Sequence, residues 1–228
     1  MSSLVDVARD GAVTTITMDD GKVNALSPQM LSELGAGLDA AEADGSVVVL
    51  TGRDGLLSGG FDLEVLRAGG PDAVGMLRGG FDLAARLLAF PRPVLIACPG
   101  HAIAMASFLL LSVDERIGVD GAATITANEV AIGLTMPFAA IALCRHRLSP
   151  AHFDRAVGTA AVYTPSEAVA AGFLDRAVPP ADFDGAVREA ADRLASLEPV
   201  AHAQTKLRVR SRVLAELRDG VEQEFGAV

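Results

Sequence analysis

The sequence predicts an α/β fold with a mainly parallel sheet, continued by a helical C-terminal region. Three observations carry that prediction. Apolar, β-branched runs recur at AVTTITM (12–18), SVVVLTG (46–52) and VLIAC (94–98). Segments of helical periodicity separate these runs. From residue 136 onward the pattern is almost wholly helical.

The elements follow in order. AVTTITM alternates and reads as a strand; SLVDVAR precedes it with Gly11 between, which predicts a hairpin. DDGKVNAL is a loop. Ser27 caps a helix with Pro28 at its first position, and Leu31, Leu34, Leu38 and Ala41 give that helix an apolar face. The strand at 46–51 runs into a Gly loop and a short helix. Residues 72–90 read as a longer helix with a soft spot at Gly79–Gly80, ended by Pro91 and Pro93. VLIAC is a buried strand, Pro99–Gly100 turns the chain, and an apolar helix begins near Ala104. ERIGV (115–119) and ATITA (123–127) are two further short strands. TPSE (164–167) is a capping box with Thr164 as cap and Glu167 reaching back, and Gly172 ends its helix. Residues 181–197 and 203–225 give two final helices.

Composition narrows the function. The chain has 228 residues, half of them hydrophobic, with a net charge of −10. A general nucleic-acid binder needs a basic face, so that class is excluded. The longest apolar stretch, AIAMASFLLLSV (102–113), is shorter than the roughly 20 residues a membrane span requires. MSSLVDVARDG lacks the basic start and apolar run of a signal peptide, and a cytoplasmic protein is expected. Cys98 and Cys144 show no metal-ligand spacing and read as buried, reduced thiols; no metal site is expected.

LLSGGFDLEVL (56–66) raises the functional question. A strand hands over to a helix through Gly59–Gly60, which supports either a tight turn or a close backbone approach to a ligand. VLIACPGHAIAMASFLLL (94–111) repeats the design of strand, turn and helix. Two such junctions aimed at one point would place two N–H donors as an oxyanion hole requires.

Here the sequence resembles the crotonase superfamily, the enoyl-CoA hydratase/isomerase family. LTGRDGLLSGGFDLEVL resembles its first signature, PVLIACPGHAIAMASFLLLSVDERIG its second and ANEVAIGL (127–134) its third. GKVNALSPQML (21–31) resembles the CoA-binding segment, and SEAVAAGFLDRAVP (166–179) the stretch after the core. The resemblance implies a crotonase-type ββα spiral core over residues 1–162 that binds acyl-CoA. It also implies a C-terminal helical oligomerisation region over 163–228, making a homotrimer or hexamer. Coenzyme A is part of the substrate, and no separate cofactor is implied. The partner is an acyl-CoA thioester, with no nucleic acid or membrane.

The resemblance maps two oxyanion donors onto the N–H groups of Phe61 and Met105. At the second, Ala104–Met105–Ala106 stands where the family usually carries a Gly-rich triplet. Family hydratases hold a water between two carboxylates. The first position maps to Phe108, which cannot take a proton; the second maps to Glu129, the implied acid/base. One base and a hole suit Δ3-to-Δ2 enoyl-CoA isomerisation, the preferred reading. Enoyl-CoA hydration and non-catalytic acyl-CoA binding remain alternatives. The implied substrate-binding residues are Lys22, Asn24, Ala25 and Leu26, then Ser58, Gly60, Asp62 and Leu63 of the Gly loop. Phe108 and Met136 complete the set.

Other residues carry local readings. Asp62 caps the short helix or orients the loop, His101 lines the pocket or is loop polarity, and Arg145 and His146 face solvent. Asp114 and Glu115 read as structural salt-bridge partners. Lys22 and Arg53 are candidates near CoA phosphates, with a solvated face the alternative for Arg53. Lys206 is a candidate to meet the nucleotide from a neighbouring subunit.

Overall fold

The computed structural model describes residues 3–226. It opens with β1 (Val5–Asp10) and β2 (Val13–Met18), an antiparallel hairpin turning at Gly11 (φ 57°), with Val5 opposite Met18. Helix α1 (Pro28–Ala43) follows, and the Ser27 side chain accepts from the Met30 N–H. Met30, Leu34, Gly37, Leu38 and Ala41 are its buried face; Leu31 is only half-buried.

Three ββα turns then build the core. The first comprises β3 (Val47–Thr51), β4 (Gly55–Ser58), α2 (Leu63–Ala68) and α3 (Gly70–Ala89). The second is β5 (Val94–Cys98), β6 (Gly100–Ile103) and α4 (Met105–Leu110). The third is β7 (Glu115–Val119), β8 (Ile125–Thr126), a 3-10 turn (Val130–Ile132) and α5 (Phe138–Arg147). Helices α6 (Pro150–Thr159) and α7 (Pro165–Ala171), strand β9 (Arg176–Val178) and helices α8 (Phe183–Ala195) and α9 (Pro199–Phe225) complete the chain.

The first strand of each turn joins a six-stranded sheet, ordered β1-β2-β3-β5-β7-β9 and parallel except for the opening hairpin. The second joins a smaller parallel sheet, β4-β6-β8. Glycines permit the corners between sheets. A Cβ on Gly100 would overlap the Gly55 backbone, and one on Gly52 would meet the Leu57 carbonyl oxygen at 2.7 Å.

The central strands are buried on both faces, which explains their unbroken apolar runs. Val48 and Leu50 of β3 point into the main core, whereas Val47 and Val49 pack towards Ala190, Ala191 and Leu194 of α8. The sequence reading placed β3, β5 and β7 but read β4 and β6 as loop or turn. Four-residue strands containing glycine offer no alternation to detect. It also missed β9, which pairs with β7 inside the otherwise helical C-terminal region.

Helix α9 lies along α3 and α5. At Gly220 the approach is so close that a Cβ would lie 2.7 Å from the Ala139 nitrogen. Its buried face also carries Lys206 and Arg210, both 5 % exposed. They converge on Asp114: its Oδ2 accepts from Lys206 Nζ at 2.6 Å and its Oδ1 from Arg210 Nη2 at 2.8 Å. The expectation that Lys206 reaches a neighbouring subunit's nucleotide is therefore corrected. Its ammonium is spent on Asp114 and the Arg92 carbonyl. His146 is also corrected: it is half-buried, and burial together with Arg147, Arg210 and Arg116 pushes its pKa down to about 4. Arg145 is exposed, its guanidinium 5.2 Å from the Phe153 ring centre. Glu115 pairs with Arg176 and Arg193.

Candidate active site

The smaller sheet assembles the site. Its three parallel strands lie side by side, and each delivers one candidate group just past its C-terminal end, where ligands commonly sit in α/β sheets. β4 leads through Gly59–Gly60 to Phe61, β6 through Ala104 to Met105, and β8 through Ala127–Asn128 to Glu129. The Ala104 N–H donates to the Thr126 carbonyl at 2.9 Å, tying the second junction to the strand that carries Glu129.

The first two junctions touch. Gly60 has φ 93°, and a Cβ there would lie 2.9 Å from the Ala104 Cβ, 3.0 Å from the Ile103 oxygen and 3.6 Å from the Met105 nitrogen. Neither the Phe61 nor the Met105 N–H has an acceptor among the described residues. Free N–H groups on two contacting turns can hold an oxygen that gains negative charge. The Phe61 ring packs over Gly80, where an added methyl would overlap it. The Gly79–Gly80 soft spot is thus a seat for Phe61 within an unbroken helix.

Ala104 adopts φ 51° and ψ −123°, a conformation that favours glycine. Alanine holds this conformation at a cost of about 1–3 kcal/mol. Ala104→Gly is expected to raise stability by about 1 kcal/mol, read as a higher urea midpoint at unchanged slope. A lower midpoint would contradict strain at this turn.

Glu129 is 8 % exposed, and its Oε2 has no hydrogen-bond partner among the described residues. Burial pushes its pKa up to about 7. That value suits a group that must both take and return a proton near neutral pH. The Cys144 thiol on α5 is pushed upward by its own burial and then by the Glu129 charge. Cys98 and Cys144 are both free and buried.

The segment 22–26 is laced to the Gly loop. Gly59 N donates to the Val23 carbonyl at 2.8 Å, Leu26 N to the Gly60 carbonyl at 2.8 Å and Ser58 Oγ to the Asn24 carbonyl at 2.6 Å. Asn24 is fully buried at φ 49°, with Nδ2 donating to the Met18 and Leu57 carbonyls. The side chains of Asn24 and Ser58 are therefore committed to scaffold, leaving backbone for a ligand. Lys22 is exposed, Ala25 half-buried and Leu26 buried. Arg53 donates to the Lys22 carbonyl and is half-buried.

Asp62 caps α2, accepting from Glu64 N at 2.8 Å, and Leu63 is 51 % exposed. His101 is exposed and its Nδ1 accepts from Thr124 N at 2.9 Å, which makes it a tie between β6 and the loop before β8. Phe108 is 1 % exposed and lies one helical turn after Met105; Met136 is 6 % exposed. The sequence reading took Gly80 for a soft spot in the helix and not for the close approach that glycine inside a helix also signals. It also missed Asn24 as a positive-φ scaffold residue, for which asparagine in a Gly-containing loop is the only cue. No group of three or more His, Cys, Asp or Glu among the described residues could hold a metal ion. No helix among them is long and apolar enough to cross a membrane.

Comparison with known proteins places this geometry. The enoyl-CoA hydratase/isomerase family profile matches residues 8–227. An enoyl-CoA hydratase/isomerase family protein from Pseudomonas syringae is 44% identical, with 97% of this chain and 96% of that one covered and a TM-score of 0.96. An enoyl-CoA isomerase from Mycobacterium tuberculosis is 45% identical, with 97% of each chain covered and a TM-score of 0.93. A second structure of that same M. tuberculosis protein, from strain H37Rv and there named a probable enoyl-CoA hydratase, is also 45% identical, covering 98% of this chain and 96% of that one with a TM-score of 0.94. One M. tuberculosis protein thus carries both names, so likeness to it leaves the reaction to be argued from the site.

Proposed function

The chain belongs to the enoyl-CoA hydratase/isomerase family, and from that premise we propose that it is a Δ3-to-Δ2 enoyl-CoA isomerase with Glu129 as its single acid/base. The observation that carries the reading is that Glu129 is a buried carboxyl while Phe108, which the resemblance maps to the second carboxylate of family hydratases, is a buried apolar ring. The acyl-CoA carbonyl oxygen accepts from the Phe61 and Met105 N–H groups. Glu129 removes a proton from C2, and the electron pair delocalises onto the held oxygen as a dienolate. The same carboxyl returns the proton at C4, so the double bond moves from C3–C4 to C2–C3. Water is neither added nor needed. Phe108 offers no group to orient a water for attack at C3, which disfavours hydration.

Steady-state rates with 3-hexenoyl-CoA and trans-2-hexenoyl-CoA test this reading. Isomerisation is expected to exceed hydration at least ~10²-fold, the usual worth of a positioned acid or base that hydration here lacks. Hydration as fast as isomerisation would favour the hydratase reading; binding without turnover of either would favour a non-catalytic acyl-CoA binder. The isomerase must start with Glu129 ionised. Its kcat/KM should therefore fall about tenfold per unit as pH drops below about 7 and level off above it. A flat profile between pH 5 and 8 would remove Glu129 as the base.

A further inference from the structure

Phe108 is one end of a row of rings. Its ring centre lies 6.4 Å from that of Phe81 on α3, and Phe81 lies 6.2 Å from Phe225, the last residue of α9; the ring planes are inclined by 24° and 26°. Phe108 and Phe81 are 1 % exposed and Met105 is fully buried, whereas Phe225 is half-buried. Just beyond it, the Gly226 carbonyl accepts from Arg78 Nη1 at 2.8 Å. Helix α3 thus supplies both Gly80, under the Phe61 ring, and Phe81, against Phe108. Packed rings from α4, α3 and α9 thus run on from the helix that begins at Met105, and α3 touches both Phe61 and Met105 at Gly80.

We propose that the Phe108–Phe81–Phe225 stack sets the acyl-chain length, so that the protein takes short-chain acyl-CoA thioesters and Phe225 is the specificity-determining residue that a longer chain must displace. The inference rests on the acyl-CoA reading above. A thioester oxygen held by Phe61 and Met105 brings the acyl carbons beside α4, where Phe108 follows Met105 by one turn. Close-packed rings leave no room for further methylenes unless one of them moves. Phe81 is locked between two aromatic neighbours. Phe225 sits in a terminal helical turn, the part of a helix that frays, so it is the ring that can yield.

The test compares kcat/KM for 3-hexenoyl-CoA and 3-dodecenoyl-CoA, alongside thermal unfolding. The wild-type protein should prefer the six-carbon substrate by about tenfold or more, the discrimination a filled apolar pocket provides. Phe225→Ala should raise the dodecenoyl-to-hexenoyl ratio by about tenfold, and Phe225→Leu by a smaller factor while retaining an apolar side chain at the helix end. Equal wild-type use of both substrates would overturn the inference but leave the acyl-CoA reading standing. An unchanged ratio in a folded Phe225→Leu or Phe225→Ala protein would overturn it too, assigning Phe225 to stability alone. Failure to bind or convert any acyl-CoA would instead strike the underlying reading, and the inference with it.

Discussion

Glu129→Gln is expected to lower isomerisation by on the order of 10²-fold or more while making the folded protein more stable at alkaline pH. Both effects come from one fact: a carboxyl is buried without a partner for Oε2. Burial raises its folded pKa to about 7 from an ordinary 4.5. The folded state therefore holds the proton more tightly than the unfolded chain does. Its contribution is fully present below about pH 4.5 and is lost as pH rises through about 7. The resulting penalty on the wild type above pH 7 is about 3 kcal/mol. Glutamine keeps the shape and does not ionise. The variant should therefore match wild type near pH 4 and exceed it by a few kcal/mol at pH 8, read from urea midpoints at both pH values. A stability difference independent of pH would show that Glu129 does not titrate in the way its burial implies.

The second large effect lies far from the chemistry. Asp114→Ala should destabilise the fold by about 3–5 kcal/mol, because it strands two buried cations. The Asp114 carboxylate also accepts from Val94 N at 2.8 Å, so one residue joins the start of β5 to Lys206 and Arg210 of α9. Burial already pushes Lys206 down to about 8 against the favourable pull of Asp114. Without that carboxylate, the ammonium must shed its proton or draw in water. A denaturant midpoint lowered by the equivalent of less than about 1 kcal/mol would mean that the pair is effectively solvated.

Much of this architecture was legible in the sequence because its signals were local. Unbroken apolar runs marked β3 and β5, since a strand buried on both faces needs no alternation. Ser27–Pro28 and Thr164–Pro165 marked helix starts because caps satisfy their own N–H groups. The strands β4 and β6, which lead to the two N–H donors, were not legible. Each is four residues long and contains glycine, placed there for close backbone approach, so no side-chain pattern announces a strand. Lys206 and Phe225 depend on contacts more than a hundred residues away in sequence, which no local pattern encodes: Arg92 for the first and Phe81 for the second. Resemblance named Phe61, Met105 and Glu129 as candidates; the parallel β4-β6-β8 sheet is what brings their backbones to one edge.

The most direct measurement follows a label through one turnover. Isomerisation of 3-hexenoyl-CoA deuterated at C2, run in ordinary water and read by NMR, reports where the removed hydrogen goes. A single buried carboxyl at Glu129, shielded from solvent, predicts that a substantial share of the deuterium reappears at C4 of the trans-2 product. Product formed with no deuterium at C4 would contradict a base that shuttles the proton out of reach of solvent, because the proton returned would then have come from water or a second group.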